Sequence, residues 1–426
     1  MTTTLRDSLG HALTGANAAA LEHYEAACHE LRCYIGDPLG RAQQALNDSP
    51  RMTMAHLLVA YLNLLGTEPG GLPPARDALR CAAALPADER EQAHRRAVEH
   101  LVAGRWHAAG LVLEDLSIRH PLDALALQVG HQIDFFTGDS RMLRDRIARA
   151  AGAWQAGMPG HHALLGMYAF GLEECGDYAR AEALGRHAVD LEPRDGWAWH
   201  AVAHVMEMQE RRRDGVAWLG GRPDTWSEGS FFAIHNWWHL ALFHLGLDDT
   251  ASVLELIDRR ILASESAVVL DMIDASAMLW RLHLRGIDVG ARWQALAERW
   301  SALAAAGNYA FNDLHAMMAF VGAGRADDAA LLLATQESAV LAADGDNVQF
   351  LRDVGFDATR AIHAFGAGRY GEAVQRLRPL RSHAHRFGGS HAQRDVMDLT
   401  LIEAALRDGQ QLLADALKRE RVARHP

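Results

Sequence analysis

The amino-acid sequence predicts an all-α protein, a solenoid of about nine helical hairpins that follows an N-terminal helical region. Three observations favour this fold class. Apolar residues recur with helical spacing along most of the 426 residues. Proline and glycine interrupt that spacing where helices are expected to end. From residue 104 onward, a glycine is followed five positions later by an alanine in copy after copy. Neither strand alternation nor a phosphate-binding glycine loop competes with this interpretation.

The N-terminal region carries helical periodicity without the repeated glycine and alanine. Its predicted helices cover about 15–33, 38–47, 51–66 and 74–85. Breaks are expected at Gly36–Pro38 and from Gly66 to Pro74, because proline lacks an amide hydrogen and glycine permits a sharp turn. We therefore divide the chain into an N-terminal helical region, 1–96, that packs on the solenoid, and helical repeats over 97–426.

The repeat is marked by the turn between the two helices of each hairpin. Its glycine and alanine occur at Gly104/Ala109, Gly176/Ala181, Gly246/Ala251, Gly286/Ala291, Gly324/Ala329, Gly368/Ala373 and Gly409/Ala414. Degraded copies begin at Gly138 and at Glu210, where Gly215 takes the place of the alanine. The nine turns are spaced 34 to 44 residues apart. The glycine allows a tight turn, the alanine allows the helices to approach closely, and stacked hairpins bury a common core.

Composition and charge exclude several classes of function. A net charge of −12 disfavours nucleic-acid binding, which needs a basic surface to neutralise phosphates. No apolar run approaches the roughly 18 residues of a membrane span, and the first residues lack the apolar segment of a signal peptide. The four cysteines show no CxxC spacing, which is typical of buried thiols in a reducing compartment. We therefore expect a cytoplasmic protein that binds neither nucleic acid nor a membrane, and homo-oligomerisation is left open.

The stretch from Gly196 to Gly246 contains two pairs of histidines in the pattern His-x3-His. These pairs are His200/His204 and His235/His239. Residues four apart on a helix project from one face, so each pair forms a patch of two imidazoles. A tryptophan lies beside each patch, Trp197 beside the first and Trp238 beside the second. Both histidine positions repeat after 35 residues, which the predicted hairpin period would explain.

The predicted turns align further ionisable residues with these histidines. His200 lies ten residues before its turn, and His235 and Asp313 lie eleven residues before theirs. The first helices of stacked hairpins line a concave surface in such arrays. A single histidine on a helix is more often structural, and a single tryptophan more often packs between helices, but the paired arrangement favours a site. We expect a pocket there that is lined by His200, His204, His235, His239 and His315, with Glu207, Asp271 and Asp313 beside them.

Several segments resemble known repeat proteins. The segment GDYARAEALGRHAVDLEP matches the second helix of a tetratricopeptide repeat, with its closing proline, Pro193, 12 residues after Ala181. The segments DGWAWHAVAHVMEMQ, AIHNWWHLALFHL, VVLDMIDASAMLWRL, FNDLHAMMAF and GGSHAQRDV, in this order and spacing, resemble the tetratricopeptide repeat protein 38 family. This resemblance covers the chain from about Ala97 to near its C-terminus and implies a tetratricopeptide-like fold, but no particular activity. We take Arg394 and Asp395 of the last segment as candidate ligand-binding residues.

Three kinds of chemistry fit the predicted pocket. Imidazoles and carboxylates at these spacings could hold zinc, iron or manganese, although no HExxH motif is present. A metal-free His–Asp pair could instead move a proton, since imidazole titrates near neutrality. A groove rich in histidine, tryptophan and aspartate could also bind a small polar molecule or a peptide without changing it. Binding is the leading hypothesis. The alternative is an enzyme, either metal-dependent and of hydrolase or oxidase type, or metal-free.

The candidate residues follow from these alternatives. The catalytic candidates are His204, His239 and Asp271. The ligand-binding candidates are Trp197, His200, His235, Trp238, Asp313, His315, Arg394 and Asp395. The candidate metal ligands are His200, His204, Glu207, His235 and His239.

Overall fold

The computed structural model describes residues 5–263, 265–342 and 344–423, so the outermost ends of the two predicted regions, 1–4 and 424–426, lie outside the described residues. The described residues form helices and turns, and their β-structure is confined to two isolated bridges, Arg6 with Ala12 and Ile35 with Ser230. The all-α prediction is confirmed. Among these described residues, no helix combines the length and the apolar character that crossing a bilayer requires.

The chain divides into two compact units, each assembled from separate segments. The first unit consists of 1–135, 139–205 and 218–236. The second consists of 136–138, 206–217 and 237–426. Residues 1–96 therefore share a unit with part of the predicted repeats.

The first half of the chain contains the helices of the N-terminal region and the first histidine pair. In chain order they are α1 (Ala18–Cys33), α2 (Pro38–Asp48), α3 (Thr53–Leu64), α4 (Leu72–Ala83), α5 (Glu89–Val102), α6 (Trp106–Arg119), α7 (Ala124–Phe136), α8 (Ser140–Ala151), α9 (His161–Glu174), α10 (Tyr178–Leu191), α11 (Gly196–Met208) and α12 (Arg212–Gly220). The four helices predicted for the N-terminal region are confirmed, because the bounds of α1 to α4 lie within three residues of the expected ones.

The second half begins with a short helix and then carries the second histidine pair. Its helices are α13 (Pro223–Ser227), α14 (Ala233–Gly246), α15 (Thr250–Leu256), α16 (Val269–Leu284), α17 (Arg292–Ser301), α18 (Ala310–Ala323), α19 (Ala326–Ala342), α20 (Asp346–Phe350), α21 (Phe356–Gly366), α22 (Tyr370–Leu380), α23 (His391–Arg407) and α24 (Gln411–Ala423). Two π-helical turns, Ile257–Ile261 and Leu351–Gly355, extend α15 and α20.

Side-chain caps explain why several helices begin where they do. The Asp37 carboxylate accepts a hydrogen bond from the Gly40 amide at the start of α2, where Pro38 also occupies the first turn. Asp88 and Glu91 form a reciprocal capping box at α5, and Ser390 and Gln393 form another at α23. Each cap satisfies backbone amides that have no partner inside the helix.

The predicted hairpin turns are confirmed at most positions by their backbone conformation. Left-handed φ angles occur at Gly104, Gly138, Gly176, Gly286, Gly324, Gly368 and Gly409. The degraded copy at Glu210 is also confirmed, since this residue has a φ of 55°. Ala109, Ala181, Ala329, Ala373 and Ala414 are buried, as a close approach of helices requires. Ala291 is exposed and precedes α17, because a second left-handed glycine, Gly290, lengthens that turn.

One predicted turn, Gly246/Ala251, is wrong by two residues. Gly246 is the last residue of α14, and the left-handed residue is Asp248, with a φ of 60°. Five positions after Asp248 lies the buried Val253. The glycine at 246 serves a different purpose, because a Cβ atom there would meet the side chain of Arg212 at 1.8 Å. His235 therefore lies thirteen residues before its turn rather than eleven, and the 35-residue offset of the histidine pairs is not the hairpin period.

Consecutive helices pack against each other in both units. In the first unit, α3 packs on α4, α5 on α6, and α9 on both α8 and α10. In the second unit, α16, α18, α21 and α23 each contact the next helix in this order, and α23 also contacts α16. Two hydrogen bonds support this last contact: Trp280 Nε1 donates to Thr400 Oγ1 at 2.9 Å, and Arg281 donates to the Ala392 carbonyl at 2.7 Å.

A buried charge network joins two successive hairpins of the first unit. The Asp123 carboxylate accepts hydrogen bonds from Arg90 at 2.9 Å and His94 Nε2 at 3.0 Å, and Tyr61 lies 3.0 Å from His94 Nδ1. The other oxygen of Asp123 accepts a hydrogen bond from the Ala126 amide at the start of α7. One buried carboxylate thus satisfies a guanidinium, an imidazole and a helix terminus.

Replacing Asp123 with alanine should destabilise the protein strongly. The substitution leaves the buried Arg90 guanidinium without its counter-charge, and such a loss costs about 3–5 kcal/mol of unfolding free energy. Urea unfolding followed by circular dichroism would measure it. The matched control is Asp77→Ala, which removes an exposed pair with Arg80 and should change the unfolding free energy by less than about 1 kcal/mol. Similar losses in the two variants would contradict a structural role for the network.

Candidate functional site

Three of the predicted histidines come together in the first unit. His200 and His204 lie on α11 and His235 lies on α14. One ring nitrogen from each lies within 4.8 Å of the others, and the Nε2 atoms of His200 and His235 are 3.1 Å apart. His200 and His204 are buried, and His235 is half-buried. His200, His204 and His235, which the sequence predicts to line one pocket, therefore lie close together. We call this group the histidine cluster.

The cluster is positioned where α11 and α14 begin. The Asp195 carboxylate accepts a hydrogen bond of 2.9 Å from the Ala198 amide and so fixes the start of α11. Asn236, next to His235, donates from Nδ2 to the Gly196 carbonyl at 3.1 Å. These two hydrogen bonds hold the first turns of the two helices, and with them the imidazoles that the helices carry.

Aromatic rings surround the imidazoles. His200 lies 4.8 Å from Trp197, 5.2 Å from Phe170 and 5.3 Å from Phe232, measured between ring centroids. Phe170 also meets His204 at 5.1 Å. Tyr34 stacks on Trp197, with ring centroids 5.6 Å apart. Trp197 thus lies beside the cluster as predicted and forms part of an apolar wall around it.

Two carboxylates beside His204 were not predicted. Glu173 and Glu174 are buried at the end of α9, and each places an oxygen within 4.8 Å of a ring nitrogen of His204. Glu173 Oε2 lies 3.4 Å from His204 Nδ1. A helix C-terminus disfavours negative charge, so two buried glutamates at this place need a cationic or hydrogen-bonding neighbour. Their position two and three residues before the Gly176 turn, in an otherwise apolar helix, is the signal that could have revealed them.

His131 on α7 packs against the same aromatic wall. Its ring lies 5.8 Å from Trp197 and 5.9 Å from Phe170. Burial, together with the positive charge of Arg146, lowers the pKa of His131 to about 3. His131 is therefore a neutral packing residue at physiological pH.

The other predicted histidines and Trp238 belong to the second unit. His239, on α14, contacts Trp238 with ring centroids 4.9 Å apart, and the Arg281 guanidinium lies 5.3 Å from the Trp238 ring. His315 on α18 is 2.8 Å from the Phe311 carbonyl through Nδ1. Burial and the charge of Arg281 lower the pKa of His315 to about 4, so its imidazole is neutral.

Three predicted polar residues of the second unit engage nearby groups. Asp313 accepts a hydrogen bond from Gln336 at 3.0 Å, and burial raises the pKa of this carboxyl to about 7. Asp271, near the start of α16, accepts from the Ser266 hydroxyl at 2.6 Å. Arg394 donates to the carbonyl of Gly388 at the start of α23.

The second unit also contains a cavity of about 370 Å³. Among its lining residues are the predicted Glu207 and Asp395, with Arg212, Arg281 and Arg421. Asp395 is held by Arg421 through two hydrogen bonds of 2.8 Å. Glu207 therefore lines this cavity, whereas the carboxylates beside His204 are Glu173 and Glu174; its place in the predicted metal set is not supported.

The charges in the cavity are only partly neutralised by one another. Burial raises the pKa of Glu207, and the positive charges of Arg212 and Arg281 oppose that rise. Within the part of the chain that the structure describes, Glu207 Oε2 has no hydrogen-bond partner. Burial lowers the pKa of Arg281 to about 10, so its guanidinium stays charged at neutral pH. We call this space the Glu207 cavity.

No protein-family model matches the chain.

The raised pKa of Asp313 should make stability depend on pH. Its carboxyl binds a proton more tightly in the folded protein than in the unfolded chain, so this contribution is complete below about pH 4 and is lost as the pH rises through about 7. The loss should reach about 4 kcal/mol, at 1.36 kcal/mol for each pKa unit. The Asp313→Asn variant should lack this pH-dependent part of the unfolding free energy. Urea unfolding between pH 4 and 8 would measure it.

The control for this measurement is Asp327→Asn, an exposed position on the neighbouring helix α19. The unfolding free energy of Asp327→Asn should differ from that of the unsubstituted protein by the same amount at every pH between 4 and 8. If the unfolding free energy of Asp313→Asn also differed from that of the unsubstituted protein by a constant amount, the proposed burial of a protonated carboxyl would be contradicted.

Proposed function

We propose that the protein binds a divalent transition metal at the histidine cluster and that the metal is a reactive centre. The single observation that carries this proposal is the convergence of three ring nitrogens, from His200, His204 and His235, within 4.8 Å. The sequence hypothesis of a metal-dependent enzyme thereby becomes the first candidate, with zinc, iron or manganese as the metal.

The spacing of the nitrogens suits a metal better than it suits packing alone. Imidazole nitrogens bound to zinc lie about 2.0–2.1 Å from the ion, so tetrahedral ligands are roughly 3.4 Å from each other. The distance of 3.1 Å between His200 and His235 is already close to that value. His204, whose Nδ1 lies 3.4 Å from Glu173 Oε2, places a third ring nitrogen within 4.8 Å of this pair.

The neighbours of the cluster fit a reactive metal site. Glu173, 3.4 Å from His204 Nδ1, would orient that ring and accept a proton from bound water or substrate. Phe170, Trp197 and Phe232 keep bulk water away and lower the local dielectric.

We extend the proposal to the fold and to the family. The regular left-handed turns and the packed consecutive helices support a tetratricopeptide-like solenoid. Membership of the tetratricopeptide repeat protein 38 family, suggested by the segments around the histidine pairs, fits the same arrangement. Cytoplasmic location and a lack of nucleic-acid partners remain proposals that rest on charge and cysteine content.

Binding of a small polar molecule or peptide, the leading sequence hypothesis, is the second candidate, and the Glu207 cavity is the observation that favours it. A volume of about 370 Å³ lies at the lower end of ligand pockets. Its charged lining and the buried Glu207 oxygen call for a small polar ligand that donates at least one N–H or O–H group.

The metal proposal is tested by elemental analysis of untagged protein. We expect the unsubstituted protein to contain about one equivalent more of zinc, iron or manganese than the His200→Ala/His235→Ala variant. Zinc added at about one hundred times its Kd for the cluster should raise the unfolding free energy by about 2.7 kcal/mol more in the unsubstituted protein than in that variant. His187→Ala, at an exposed position, is the control and should keep the metal. Equal metal content and equal zinc binding in the unsubstituted protein and the His200→Ala/His235→Ala variant would overturn the proposal.

The second candidate is tested by screening small polar metabolites for thermal stabilisation. A ligand of the Glu207 cavity should stabilise the unsubstituted protein and the exposed-site control Glu298→Gln equally. It should lose about tenfold in affinity or more with Glu207→Gln, because a charge-assisted hydrogen bond contributes about 1.5–3 kcal/mol. Equal binding to both variants would place the ligand elsewhere.

A further inference from the structure

A second group of metal-ligand side chains lies in the first unit, apart from the histidine cluster. His29 and Cys33 are four residues apart on α1, and His162 is in the first turn of α9. One ligand atom from each of these residues lies within 4.8 Å of the others. Cys33 is fully buried, His162 is nearly buried, and His29 reaches the surface. The group therefore joins two helices that are far apart in the sequence and has one accessible edge.

A buried aspartate orients His162. Asp195 Oδ2 lies 2.7 Å from His162 Nδ1, and Asp195 itself is 0% exposed. With Nδ1 engaged, Nε2 is the nitrogen that His162 can offer to a ligand. A carboxylate that holds the far nitrogen of a metal-binding histidine is a common feature of zinc sites, because it fixes the tautomer and raises the basicity of the ligand.

Negative charge lies close to Cys33. Cys33 is the last residue of α1, and the C-terminal end of a helix carries partial negative charge. The carboxylates of Asp195 and Glu192 act on the thiol more strongly than the guanidiniums of Arg32 and Arg194 do. Burial, followed by these carboxylates, raises the pKa of Cys33, whereas a bound metal ion would deprotonate the thiol outright.

Cysteine, histidine and aspartate in this order also suggest a nucleophilic triad, but the environment disfavours one. A catalytic cysteine needs a thiolate and access to substrate. The Cys33 side chain exposes no surface, and its surroundings oppose the thiolate in the absence of a metal. The exposed His29, in contrast, gives an ion a route to the three ligands.

We propose that His29, Cys33 and His162 bind a zinc-type divalent ion, with Asp195 orienting His162 and water as the fourth ligand. On binding, the Cys33 thiol loses its proton to solvent and the sulfur bonds to the metal, with no change in oxidation state. One thiolate and two imidazoles suit zinc or cobalt(II) better than magnesium or calcium, which prefer oxygen. The ion would fasten the end of α1 to the start of α9. This site does not depend on a metal at the histidine cluster.

Cobalt(II) distinguishes this site from the histidine cluster, because only this site contains sulfur. Chelator-treated protein titrated with cobalt(II) should develop an intense near-ultraviolet band from thiolate-to-cobalt charge transfer. Cys33→Ser should abolish the band. Cys81→Ser, which changes an exposed cysteine of α4, should leave it intact. The His200→Ala/His235→Ala variant should also keep the band while it binds one ion fewer, so failure at one site leaves the other testable.

A further variant guards against loss of folding in Cys33→Ser. His29 lies at the surface, so His29→Ala should fold normally and should weaken cobalt binding at this site by about tenfold or more. Circular dichroism would confirm that both variants are folded. The absence of a band from the unsubstituted protein would overturn the proposal, as would a band that persists in Cys33→Ser or an unchanged cobalt affinity in His29→Ala.

Discussion

Two buried aspartates, Asp123 and Asp195, connect successive hairpins. Each accepts a hydrogen bond from a backbone amide at the start of its own hairpin and contacts an ionisable side chain of the hairpin before it. Asp123 Oδ1 accepts a hydrogen bond from the Ala126 amide, and Asp123 Oδ2 accepts hydrogen bonds from Arg90 and His94. Asp195 Oδ1 accepts a hydrogen bond from the Ala198 amide, and Asp195 Oδ2 accepts one from His162. Each aspartate follows a proline by two residues, in PLD and PRD. A buried carboxylate is costly unless its oxygens are satisfied, so the hairpins are locked at these points.

The fold could be predicted in large part because helices and their turns are local. Periodic apolar residues and glycine located the helices and most turns, and even Glu210 was recognised from its spacing. The error at Gly246 has a non-local cause. That glycine is needed where the Arg212 side chain crosses α14, and the turn itself uses Asp248, which a pattern of glycines does not reveal.

The sites were predictable only where their residues lie on one helix. His200 and His204 share a face of α11, and this spacing is visible in the sequence. Glu173 meets His204 from another helix, and His162 meets Cys33 from a position 129 residues further along the chain. No local pattern connects such pairs. The predicted alignment of His200 with His235 used the wrong turn, yet the two rings lie together, because Asn236 ties α14 to the beginning of α11.

The start of α11 links the two proposed metal sites of the first unit. Asp195 orients His162 of one site and caps the helix that carries His200 and His204 of the other. A helix rises about 1.5 Å per residue, so five residues separate the cap from His200 by about 7.5 Å. Over so short a rigid segment, any shift of Asp195 is transmitted directly to the imidazoles. Asp195 therefore holds His162 and the start of α11 in fixed positions, so the geometry of both proposed sites depends on this one carboxylate.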